Sequence, residues 1–119
     1  MQFVRVHLLL AAVAASLVAS DAALAASADN GKTAFVQHGC WQCHGYEGQG
    51  SITTSAGRVL ANTKEPPDAF AAYVRQPTGA MPPFSAAILP DADLADIYAY
   101  LEARPKPKAS KDIPLLSGQ

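Results

Sequence analysis

Apolar positions along the 119 residues fall into distinct patterns. The first is a block: nineteen of the first 25 residues are apolar. Further on the spacing becomes helical. Leu94, Ile97, Tyr98 and Leu101 stand at i, i+3, i+4 and i+7, which predicts an amphipathic helix capped by Asp91 after Pro90 and running to about Arg104. Residues 68–75 predict a shorter helix with Phe70, Tyr73 and Val74 on one side and Pro77 as its stop. A first helix, capped by Asp29 or Asn30 and reaching about Gly39, carries Phe35 and Val36, and its Gly31 leaves room for another helix to approach. Residues 45–64 hold four glycines and no helical period, so they predict loop. Twenty structureless residues are more than a compact domain ordinarily tolerates unless they serve a function such as wrapping a large group.

The N-terminal block has the order of an export signal. Residues 1–7 carry Arg5 and no acid, residues 8–19 are uncharged and largely apolar, and Ala23-Leu24-Ala25 places small residues where a signal peptidase cuts. Cleavage is expected after Ala25, with Ala28 as the competing site. Twelve residues span about 18 Å of helix against a hydrocarbon core of ~30 Å, so no stable membrane span is expected after cleavage. The expected compartment is the periplasm.

Composition then bounds what is left. The chain is 50% hydrophobic and 16% charged, and the leader accounts for the apolar excess. A multidomain protein, a transmembrane bundle and a disordered chain are excluded, leaving one domain at residues 26–103 and a Pro/Lys-rich tail at 104–119. A domain this small buries only roughly 60–65% of its unfolded surface, so a disulfide, metal or cofactor is expected to help hold it.

The only two cysteines lie in Cys40-Trp41-Gln42-Cys43-His44. This is the pattern of covalent haem attachment, in which two thiols one helical turn apart add to the porphyrin vinyl groups and the adjacent imidazole comes up beneath the iron. A thioredoxin-type pair is disfavoured because no β-rich run precedes Cys40. Structural zinc is disfavoured because only His38 is left as a fourth ligand, too close in sequence to complete a tetrahedron easily. For the second axial position the candidates are Met81 and His38. Met81 is the sole methionine once the leader has gone, and Pro82 and Pro83 hold it in an extended loop that can present its thioether. His38 shares the attachment segment and is expected at the haem edge or in solvent.

Taken together, Asn30-Gly31-Lys32-x-x-Phe35, Gly39-Cys40-x-x-Cys43-His44-Gly45, Met81-Pro82-Pro83 and Leu94-Ala95-Asp96-Ile97-Tyr98-Ala99-Tyr100-Leu101 resemble the class I c-type cytochromes of bacterial periplasms. The resemblance implies an all-α cytochrome c fold, three to four short helices and long loops wrapped around one haem c. It implies that the terminal helices cross near a right angle at Gly31 and Phe35 against Ile97 and Tyr100. It also implies single-electron transfer, with Cys40 and Cys43 as thioether attachments, His44 as proximal and Met81 as distal iron ligand. One departure stands out. The family usually has Gly-Pro-x-Leu after the haem motif, the proline carbonyl accepting the histidine's Nδ1 hydrogen bond, whereas this chain has Gly57-Arg58-Val59-Leu60. The Arg58 carbonyl is the expected substitute, in a loop less rigid without proline. The Arg58 side chain either reaches a haem propionate or is solvated.

Trp41, Ala80, Pro82, Pro83 and Phe84 are candidates for an apolar rim at an exposed haem edge, or else pack the haem. Residues 26–103 carry four cations and eight anions, and residues 104–119 four cations and one anion. The tail is therefore expected to be extended, docking on an acidic partner, lying on its own domain or simply solvated. Nothing supports nucleic-acid binding. The expected partners are periplasmic redox proteins, a dehydrogenase or a terminal oxidase, with the chain a monomer or the small subunit of a complex. The rival readings are a gas-binding haem protein with a displaceable sixth ligand and a haem-free thiol oxidoreductase.

Overall fold

The computed structural model describes residues 25–51 and 57–116. These form four α-helices in chain order, α1 (Ala28–Gln37), α2 (Trp41–His44), α3 (Pro67–Arg75) and α4 (Asp91–Ala103), followed by a 3₁₀ turn at Ser110–Asp112. The described residues contain no strand. The all-α expectation is met.

Three boundaries differ from the sequence reading. The cap of α1 is Ser27, whose side chain accepts from the Asn30 amide, instead of Asp29 or Asn30. Ser27 is further anchored by its own N–H, which donates to Asp96 Oδ1 at 2.6 Å. α3 starts at Pro67, one residue early, since proline is well suited to the first helical position. α4 begins behind Pro90 with no side-chain cap. Asp91 does not cap it, because its carboxylate is engaged by Arg75.

The core forms where α1 meets α4. Phe35 and Leu101 are fully buried, as are Leu94, Ile97 and Tyr100 nearly so, and the Phe35 and Tyr100 rings lie 5.7 Å apart at 54°. Gly31 makes this contact possible. A Cβ there would overlap the carbonyl of Asp96 and press on Tyr100, so any larger residue would push the helices apart. α3 is joined to α4 through Phe70, edge-on to Tyr98 at 5.4 Å, and through the Tyr98 hydroxyl, which donates to the Glu65 carbonyl at 2.8 Å.

α1 ends in a way that delivers the cysteine motif. The Gly39 N–H bonds to the Val36 carbonyl and the Cys40 N–H to the Phe35 carbonyl, with Gly39 at φ +75°, a closing turn that satisfies the last carbonyls of the helix. Cys40 thereby enters α2 directly from the packed end of α1. Past α4, Arg104 pairs with Glu47 and stands over the Tyr100 ring, 5.6 Å from its centre. The start of the tail is thus held against the domain, while Lys106, Lys108 and Lys111 are exposed.

Candidate functional site

A cavity of about 420 Å³ opens between α1, α3, α4 and the two long loops. Phe35, Leu94, Ile97 and Leu101 form its apolar floor, and His44 and Met81 both reach it, one from α2 and the other from the loop between α3 and α4. A few hundred Å³ of mostly apolar space with a few polar groups converging on it is the usual form of a cofactor site.

The cysteines sit at its edge. Cys40 is partly buried and lines the cavity, whereas Cys43, one turn later, is exposed. Burial pushes the Cys40 thiol up to about 11, outweighing the opposing effect of a backbone hydrogen bond. At neutral pH this thiol is therefore protonated, the reverse of the low-pKa thiolate that thiol exchange requires.

His44 is oriented from behind. Its Nδ1 lies 2.8 Å from the carbonyl oxygen of Arg58. A carbonyl only accepts, so Nδ1 carries the proton and the Nε2 lone pair is free for a metal. The missing proline is replaced by backbone fit. Gly57 passes so close to Cys43 that a Cβ would overlap the Cys43 carbonyl. The same loop is clipped by Leu60 and Ala61 N–H groups on the Gly48 carbonyl, at 2.7 and 2.9 Å, and by the Ser51 N–H on the Gly57 carbonyl at 3.1 Å. The loop is fixed by these bonds.

A family model described as cytochrome c oxidase, cbb3-type, subunit III matches residues 26–101. The chain belongs to this family of c-type cytochromes. The cytochrome carries covalent haem c with its iron and serves haem-based electron transfer. It is also similar to a chain in the crystal structure of p-cresol methylhydroxylase with substrate bound, at 28% identity and a TM-score of 0.52, over 63% of this chain and 92% of that one. A comparison with curated proteins finds no significant match. Among the described residues no helix is long and apolar enough to cross a membrane.

The cavity's apolar lining, its free imidazole nitrogen and its thioether suit haem in shape and donor set. The remaining predicted residues divide. Phe84 and Ala80 line the cavity of the cytochrome, but Trp41, Pro82 and Pro83 do not. Trp41 instead stacks on Tyr46, 4.3 Å between centres and 13° between planes. His38 does not line the cavity either, and its Nε2 lies 3.4 Å from Asp93 Oδ2. Thr63, Glu65 and Thr78 add polar lining that the sequence does not single out, and Tyr73, expected on one side of α3 with Phe70 and Val74, lines the cavity with them. The only signal for Thr63, Glu65 and Thr78 is their position in the stretches between α2 and α3 and between α3 and α4.

Proposed function

We propose that this cytochrome is a single-electron carrier whose haem is attached through Cys40 and Cys43 and whose iron is held by His44 and Met81. The observation that carries the reading is the 2.8 Å bond between His44 Nδ1 and the Arg58 carbonyl, which leaves Nε2 free in a cavity that also receives the Met81 thioether. When bound, the haem supplies a one-electron ferric/ferrous couple. His44 and Met81 would hold the iron between them and would leave it no open position for a substrate, which favours an electron carrier over an enzyme. Met81 as a ligand and the apolar lining around Phe35 and Leu94 would both favour the ferrous form and raise the potential.

The setting is the periplasm, reached with a leader at residues 1–25, of which 1–24 lie outside the described residues. Cleavage after Ala25 keeps Ser27 and its two contacts at the start of α1, whereas cleavage after Ala28 would delete them. The partner is a substrate-oxidising enzyme that passes electrons to this chain, which acts as its small subunit or as its free acceptor. Likeness to one chain of a methylhydroxylase structure, itself shorter than this one, supports that reading.

Intact mass and voltammetry test the proposal together. Expression with haem-maturation machinery should add one haem to the wild type, half-attached or unstable product should follow Cys40→Ser or Cys43→Ser, and the purified protein should show one reversible one-electron wave. A chain that gains no mass, or that turns over small substrates unaided, would contradict it.

A further inference from the structure

The loop that presents Met81 packs on the core through Met81 and Phe84, and the residues around them are open. Gly79 sits at φ +78° with nothing within 4 Å of where a Cβ would be, and Ala80, Pro82 and Pro83 are exposed. What fixes the loop is the last turn of α3. The Tyr73 hydroxyl donates to the Thr78 carbonyl at 3.1 Å, three residues before Met81. Three residues after it, the Phe84 N–H donates to the Val74 carbonyl at 3.1 Å and the Phe84 carbonyl accepts from Arg75 Nη1 at 2.8 Å. The same Nη1 donates to the Leu89 carbonyl at 2.8 Å, and Nη2 to Asp91 Oδ1 at 2.5 Å.

Arg75 therefore ties the far limb of the loop, its return to α4 and the first residue of α4 to one planar group. Its side chain is 20% exposed, so the bonds to the Phe84 and Leu89 carbonyls are partly sheltered from water, while the bond to the Asp91 carboxylate stands in solvent. A guanidinium offers five donors in a fixed fork, and a lysine ammonium cannot reach all three acceptors in the same geometry. Pro82 and Pro83, with φ fixed, pass the position of Phe84 back to Met81 as a stiff strut.

We infer that Arg75, assisted by Tyr73, is the positioning residue for the distal ligand: it holds the Met81 loop closed over the iron and sets how readily Met81 gives way to an outside ligand. The inference rests on Met81 being that ligand. No motif marks this role, because the acceptors lie 9, 14 and 16 residues away.

Imidazole titration of the ferric holoprotein, followed by absorption, is the test. Arg75→Met and Arg75→Lys should each bind imidazole at least about tenfold more tightly than wild type, Lys less so than Met, since each lost bond lowers the cost of opening. Tyr73→Phe, which removes one exposed hydroxyl, should give a smaller increase of several-fold and carries the test if the Arg75 variants yield no holoprotein. Ala34→Gly weakens α1 away from the loop and should leave imidazole affinity unchanged, separating positioning from general loss of stability. Met81→Ala should bind imidazole far more tightly than any of them. If Met81→Ala opens the site while the Arg75 and Tyr73 variants match wild type, or if Ala34→Gly opens it equally, the role of Arg75 is overturned. If Met81→Ala itself matches wild type, the ligand assignment beneath it fails.

Discussion

His44 donates its Nδ1 proton to the main-chain carbonyl of Arg58, across a loop that Gly57 brings into contact with Cys43. The acceptor is backbone, so the bond depends on the path of the chain at residue 58 and not on its side chain. This separates the two neighbouring residues experimentally. Arg58→Ala should leave the absorption spectrum unaltered. Gly57→Ala must displace the loop or Cys43, at a cost of about 1–3 kcal/mol, and should loosen the His44 bond. An imidazole that loses such a bond is a less basic ligand, so the potential of Gly57→Ala should rise. Equilibrium unfolding and potentiometry on the two variants check both outcomes.

The Gly31 contact with Asp96 makes an analogous statement about the fold. Gly31→Ala has no space between α1 and α4, and should lower stability by about 2–3 kcal/mol and reduce the yield of holoprotein. Denaturant unfolding of the holoprotein would show it. An alanine variant of wild-type stability would mean that the helices can separate at no cost.

His38 provides a negative control for ligation. Its Nε2 faces Asp93 and it does not line the cavity. His38→Gln should keep the ferric and ferrous spectra of the wild type, and a change of spin state would put His38 back among the ligands.

Alkaline stability follows from Tyr100. Burial, reinforced by the Glu47 carboxylate, raises its pKa above the ordinary value near 10. The neutral hydroxyl donates to the Tyr46 carbonyl at 2.9 Å. A folded-state pKa above the unfolded one means that the contribution is complete below about pH 10 and is lost as pH rises through the folded value. Tyr98 is shifted the same way, chiefly by desolvation, so it adds to the same limb. Tyr100→Phe should therefore lose about 1 kcal/mol at neutral pH and fall less steeply than wild type above pH 10, as measured by unfolding across that range.

Much of this arrangement is legible in the sequence, for identifiable reasons. The attachment motif is local, and the apolar period of α4 placed Leu94, Ile97 and Leu101 in the core. The same period put Tyr98 on the buried face, and Tyr100 was set against α1 only by the family resemblance. In the structure Tyr100 fills the α1 contact, while Tyr98 turns its hydroxyl toward Glu65. The caps failed because carboxylates have competing uses. Asp91 binds an arginine sixteen residues earlier, and Ser27, the cap that does form, stands between the two expected cleavage sites. The replacement of proline by Arg58 was readable as a question, since every residue has a carbonyl, but the overlap at Gly57 that answers it depends on tertiary contact. Arg75 and its three acceptors left no periodic trace at all.

The most direct test of a closed, six-coordinate carrier is carbon monoxide binding to the reduced holoprotein at neutral pH. The account predicts an unchanged ferrous spectrum on addition of the gas, and a rapid, complete shift to the carbon monoxide form in Met81→Ala. Rapid binding by the wild-type protein would contradict it.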